Sequence, residues 1–221
     1  MPRPHEDLQR HTATDHRAGG PTIAFPAASW CAIEVAYVVA ERAPAGVASY
    51  ETLIEKARAS TPKAHEAAVL RSHNQRRVIA LLHLDGHEAF RHLSAAWDDH
   101  HVFAERHAVA ESRSLALYRL SAALGEPAFD PSSTDAYAFE HILSSVERVR
   151  SIGPSLAAVT NFRGASIFGT DDDRASAIVY RFVHAEDIEA FRVAPETQRV
   201  LGPIGEPGET FYPVHVVRTF A

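Results

Sequence analysis

The sequence predicts an α+β fold built from two tandem βαββαβ repeats, and three observations predict it. A motif recurs: His83-Leu-Asp-Gly-His-Glu-Ala-Phe-Arg91 returns as His184-Ala-Glu-Asp-Ile-Glu-Ala-Phe-Arg192, both reading H-x4-E-A-F-R. Apolar segments run strand, helix, strand, strand, helix, strand, and then run through that order again. The segments that close each series, SLALYRL (114–120) and PVHVVRTF (213–220), are separated by the same roughly one hundred residues as the motif. One copied module accounts for all three.

Residues 1–29 are polar and rich in Pro, Gly and His without a sustained period, which predicts a flexible N-terminal arm. The first repeat spans 30–124. CAIEVAYVVA (31–40) is β-branched and aromatic enough for a buried strand. APAG (43–46) reads as a breaker, with Ser49 capping a helix over YETLIEKARAS (50–60) that Thr61-Pro62 closes. AAVLRSH (67–73) and RRVIALLHL (76–84) are two strands joined by a turn at His73-Asn74-Gln75. Asp85-Gly86 ends the second, HEAFRHLSAAWDDHHVFAERHAVA (87–110) is a long helix, and SLALYRL is the fourth strand.

GEPAFDPSSTD (125–135) is a linker of turn-forming residues. The second repeat, 136–221, follows with AYAFEHIL (136–143) as strand and SSVERVRSIGPSLAAV (144–159) as helix. TNFRGASIFG (160–169) and ASAIVYRFVH (175–184) are strands, 186–201 is a helix interrupted at Pro195, and PVHVVRTF closes the series. Each series is the ferredoxin-like arrangement. A sheet with helices on one side leaves its other side apolar, so the two repeats are expected to pack sheet to sheet as a barrel within one chain.

Of the 221 residues, 46% are hydrophobic, enough for a substantial core. A net charge of −6 with scattered arginines argues against a nucleic-acid partner, which needs a basic stripe. The single cysteine, Cys31, excludes an intrachain disulfide and a cysteine zinc site. No apolar run is long enough to span a membrane and the N-terminus lacks a secretory core, so a cytoplasmic protein is expected. Exposed helix faces leave room for a homodimer.

The repeated order and the passages LLHLDGHEAFRHL (81–93) and RFVHAEDIEAFRVA (181–194) resemble the dimeric α/β-barrel superfamily, in particular antibiotic biosynthesis monooxygenase-like proteins. The resemblance covers about residues 30–221. In that superfamily two identical subunits usually form the barrel, and here the two repeats would do so within one chain. The resemblance implies a small-molecule tailoring enzyme that oxygenates a hydrophobic, phenolic or polyketide-like metabolite without a required cofactor, in an apolar pocket between sheet and helices. Trp97, followed ten residues later by His107 with Val102-Phe103 between, also resembles the heme-degrading branch. That match implies heme as an alternative cofactor, with His107 on iron. A noncatalytic ligand-binding or scaffold protein is the third reading.

Such an oxygenase needs a base and donors for the substrate anion. Helical spacing puts Phe90, Leu93, Trp97 and His101 on one face, making Trp97 a core residue or pocket wall and His101 a candidate acid/base. Strand alternation puts Tyr137, Phe139 and His141 on one face, with Tyr37 the approximate counterpart of His141, so His141 is the second candidate base and Tyr37 a substrate contact. Asn161, Arg163 and Tyr180, on or beside the middle strands, are candidate donors to the substrate. Metal binding is not expected: His101 with Glu105 and His107 with Glu111 have usable spacing but no third ligand.

Overall fold

The computed structural model of the chain describes residues 19–60, 64–97, 110–142, 161–172, 174–195, 197–198 and 211–221. The first half comprises β1 (Trp30–Val38), α1 (Ala43–Ser60), β2 (Ala64–Ser72), β3 (Arg77–Leu84), α2 (His87–Trp97) and β4 (Ala110–Gly125). The second comprises β5 (Ala136–Ile142), β6 (Phe162–Gly169), β7 (Ser176–Phe182), α3 (Ala185–Val193) and β8 (Phe211–Phe220). Eight antiparallel strands close one barrel in the order β1-β3-β2-β8-β5-β7-β6-β4. Within it β4-β1-β3-β2 and β8-β5-β7-β6 have the same internal order, so the duplicated α+β architecture holds. The sheets do more than stack, because β2 pairs with β8 and β4 with β6 along two hydrogen-bonded seams.

Closure with helices packed outside buries both faces of β1, which is why it reads as an almost continuous apolar run. Cys31, Ile33 and Val35 turn into the barrel with Leu70, Ile79, Leu81, Tyr118, Phe139, Phe168 and Val214. The alternate residues Ala32, Ala36 and Val38 pack outward under Val47, Tyr50, Leu53 and Ile54 of α1 and Ala89 and Leu93 of α2. In the second half Ala138, Ile167, Ile178, Tyr180 and Phe182 face outward beneath Ile188 and Phe191 of α3. The result is one interior core and two sheet–helix cores.

Three expectations need correction. APAG does not break the chain: α1 begins at Ala43, with Pro44 in its first turn, where the missing N–H costs no helical bond. Ser49 is therefore inside the helix rather than its cap. The fourth strand is longer than SLALYRL, because its first part pairs with β1 and residues 119–125 pair with β6, so one strand must serve both halves. It takes in Gly125, the first residue of the expected linker, whose φ of +58° and close approach to Arg163 (an added Cβ would lie 2.2 Å from the carbonyl oxygen) leave no room for a side chain.

The third correction concerns the arm. From Gly19 onward it is not flexible: the Gly19 N–H donates to the Val217 carbonyl at 3.1 Å, and Ile23 exchanges backbone bonds with Phe129 at 3.0 and 2.8 Å. Ile23 and Phe25 are buried in the interior core, and the Phe25 ring packs edge-on against Phe129 and Phe168 with centroids 5.3 and 6.0 Å apart. The apolar pair Ile23 and Phe25 anchors an otherwise polar segment. The helix expected over 186–201 is interrupted next to Pro195: α3 ends at Val193, Ala194 is in extended backbone (φ −61°, ψ 129°), and helical residues resume at Pro195. Phe25→Ala should lower unfolding stability by about 3–5 kcal/mol, read as a reduced urea midpoint, because it empties an aromatic-sized space inside the barrel. An unchanged midpoint would show that the segment is not part of the core.

Candidate functional site

Polar side chains gather at one end of the barrel interior. Tyr37 ends the inward row of β1 and pairs across to Arg77, which opens the inward row of β3. His141 ends the inward row of β5, after Tyr137 and Phe139. Its Nε2 lies 2.9 Å from the Tyr118 hydroxyl, and the two rings meet edge-on. Tyr212, from β8, stacks on Phe139 with centroids 5.7 Å apart. The Arg77 guanidinium sits between two phenol rings, 5.0 Å from the centroid of Tyr37 and 4.6 Å from that of Tyr212, and bonds the Tyr212 side chain. Tyr118 and Tyr212 are buried, whereas Tyr37, Arg77 and His141 are half-buried, so solvent reaches this end of the barrel.

Burial sets the protonation of the cluster. It lowers the His141 pKa and keeps the imidazole neutral near pH 7. It pushes both Tyr118 and Tyr212 up to about 12, against the pull of Arg77 in the case of Tyr212. Tyr118 is therefore a neutral phenol that can donate to Nε2 of His141. The arrangement can accept a proton at His141 and hold negative charge at Arg77.

The opposite face of the same strand carries a different device. Glu140 points outward, buried, and accepts a 2.6 Å hydrogen bond from the Tyr180 hydroxyl. Tyr180 lies among Phe182, Phe191 and Phe211. Burial raises the Glu140 carboxyl to about 7, outweighing the bond from Tyr180. The first half has a similar pair beneath α1, where Tyr50 donates to Glu34 at 2.7 Å.

The structure divides the residues singled out from sequence. His141 and Tyr37 share the barrel interior, as alternation predicts. Tyr180 is on the other side of the sheet, bound to Glu140, so it cannot serve a substrate held by His141. Asn161 is exposed, with its side-chain amide donating to Asp187 at 3.4 Å, and Arg163 is exposed at the start of β6. Neither belongs to the interior cluster. The side chain of Trp97 and all of His101 and His107 lie outside the described residues. His83 bonds Glu66 at 2.7 Å through Nδ1, joining β3 to β2, and the His184 backbone N–H donates to Asp187 at 3.1 Å at the start of α3.

Sequence reasoning misses Tyr118, Tyr212, Arg77 and Glu140. A carboxylate within AYAFEHI is the available signal for Glu140, since a strand buried on both faces must partner it. The other three come from strands distant in sequence and meet only on closure. Among the described residues no group of three His, Cys, Asp or Glu side chains is placed to hold a metal, and no helix is long and apolar enough to cross a membrane. Heme would depend on His107; the interior His141 has Nε2 engaged by Tyr118, a poor fit for an iron ligand.

No protein-family model matches the chain, and no curated protein does. Solved structures do match its fold. An anthrone oxidase-like protein superimposes with a TM-score of 0.64 at 16% identity, over 90% of this chain and 96% of that one. A provisionally named monooxygenase of Fusobacterium nucleatum gives 0.56 at 8% identity, over 88% and 95%. Another, from Lactobacillus acidophilus, gives 0.51 at 6% identity, over 87% and 98%. The chain thus has the ferredoxin-like barrel fold of monooxygenase-like proteins along most of its length.

The Glu140 pKa gives a signed stability test. A folded-state pKa of about 7, above the ordinary carboxyl value of 4.5, means that the folded form binds the extra proton between those values. Its stabilising effect is complete below about pH 4.5 and is lost as pH rises to about 7. Glu140→Gln should therefore gain on the natural protein across that window, by on the order of 3 kcal/mol at the plateau, in urea unfolding at a series of pH values. A difference that is flat with pH would refute the raised pKa.

Proposed function

We propose that the chain is a cofactor-independent oxygenase of the antibiotic biosynthesis monooxygenase-like group, acting on a flat phenolic substrate at the open end of the barrel. The observation that carries the reading is the neutral His141 imidazole hydrogen-bonded to Tyr118 in an otherwise aromatic interior. The fold shared with an anthrone oxidase-like protein supports it. An anthrone, a diaryl ketone with a methylene group, is the natural probe for such a site.

In this reading the phenolic tautomer of the substrate gives its proton to the Tyr118 oxygen while Tyr118 passes its own to Nε2 of His141. The resulting anion is the one that would form by removing a methylene proton. It gives one electron to O2, and the substrate radical and superoxide join through a C–O bond. The peroxide takes up the proton held at His141, and loss of water from the hydroperoxide leaves a carbonyl. The methylene carbon thus becomes a ketone carbon: one atom of O2 stays on it, and the other leaves as water with both methylene hydrogens. Phe139, Tyr212 and Tyr37 keep the anion among aromatic rings, and Arg77 supplies the positive charge that stabilises it.

Oxygen uptake with anthrone should fall by about 100-fold or more in His141→Ala and by about tenfold in Tyr118→Phe. Because the base acts only when neutral, the rate should drop as pH falls through a value below the usual histidine 6.5. Unchanged uptake in both His141→Ala and His101→Ala would remove the proposed chemistry. A strong heme absorption band in the purified protein would transfer the reaction to His107.

A further inference from the structure

We infer that the open end of the barrel recognises a carboxylate on a planar aromatic ligand, with Arg77 as the residue that determines this specificity. The inference deepens the proposed function and rests on it only in taking the ligand to be the substrate. Its basis is a charge imbalance. Arg77 and Arg181 both turn into the barrel, and they are treated differently. Arg181 is paired with Asp135 at 2.6 Å, both largely buried, and donates to the Glu126 carbonyl at 3.3 Å. Arg77 has no carboxylate partner among the described residues.

Among the described residues, the groups around Arg77 do not neutralise it. Tyr37 and Tyr212 flank its guanidinium, and Tyr118 and His141 lie in the same cluster. Tyr118 and Tyr212 remain protonated because burial raises their phenols, and His141 is neutral. The described acids on nearby strands are engaged elsewhere: Glu34 on the adjacent β1 and Glu140 on β5 point to the opposite side of the sheet and bond Tyr50 and Tyr180, and Glu66 on the adjacent β2 bonds His83. A half-buried guanidinium whose described neighbours in the cluster are neutral offers a planar fork of N–H donors suited to a carboxylate. The rings of Tyr37, Tyr212 and Phe139 supply flat walls beside it. An aromatic acid satisfies both features, whereas an uncharged phenol satisfies only the walls.

Fluorescence titration of the full chain with 1-hydroxy-2-naphthoate and with uncharged 1-naphthol tests the inference without any turnover. The carboxylate should bind the natural protein about tenfold or more tighter than the naphthol. Arg77→Gln should cost the carboxylate about 10- to 100-fold in affinity and leave the naphthol within about twofold. Arg77→Lys, which keeps the charge without the fork, should fall between, and circular dichroism confirms that each variant is folded. Equal affinity for the two probes, equal loss of both in Arg77→Gln, or no binding of the carboxylate would overturn the inference. The outcome is separable from the proposed reaction, because failure of His141→Ala to reduce oxygen uptake would sink the chemistry while leaving these affinities unchanged.

Discussion

Barrel closure is the constraint from which the other features follow. Pairing of β2 with β8 and of β4 with β6 leaves no free sheet edge between the halves and separates an interior from the outer, helix-covered side. With a side-chain period of two, neighbouring residues on one strand enter different compartments. Any polar residue on such a strand must find its partner in the compartment it faces, since the penalty for leaving it unpaired is several times the gain from an ordinary surface contact.

Strand β5 shows what this does to chemistry. Glu140 and His141 are adjacent, yet one meets Tyr180 beneath α3 and the other meets Tyr118 inside the barrel. Burial moves both towards neutrality near pH 7, upward for the carboxyl and downward for the imidazole. The outward pair is enclosed by the rings of Phe182, Phe191 and Phe211 and acts as a core polar pair. The inward pair stands at a solvent-reached end beside Arg77, where a neutral imidazole and a guanidinium share one compartment. The opposite side of the interior is filled by Ile23, Phe25 and Phe129, so the arm and the segment after β4 help to confine access to the polar end.

Much of the fold could be read directly. The H-x4-E-A-F-R repeat, the turn at His73-Asn74-Gln75 and the helix interruption next to Pro195 are local signals that depend on turn chemistry and period, and the structure carries each of them. Local signals mislead where a distant partner intervenes. APAG looks like a breaker until Pro44 is seen in a first helical turn, and SLALYRL looks like a short strand until β6 extends it. Residues 19–29 look mobile because their polarity conceals two apolar anchors, Ile23 and Phe25, whose pocket is made in part by the distant Phe129 and Phe168. For the site, alternation groups His141 with Tyr137 and Phe139 on one strand face, but nothing local could show that Tyr180 faces the other way or that Tyr118 would meet His141.

By itself the sequence determined the duplicated βαββαβ order, the inward face of β5 and the presence of an imidazole on it, because periodicity and turn residues act over a few positions. Only the tertiary structure decided that the two sheets join into a single closed barrel and that Arg77 stands between the rings of Tyr37 and Tyr212. It alone decided that Tyr118 reaches His141. The physical reason is that strand register and the direction in which each side chain points are set by pairing between segments a hundred or more residues apart, as at the β2–β8 seam, and no local pattern specifies that pairing.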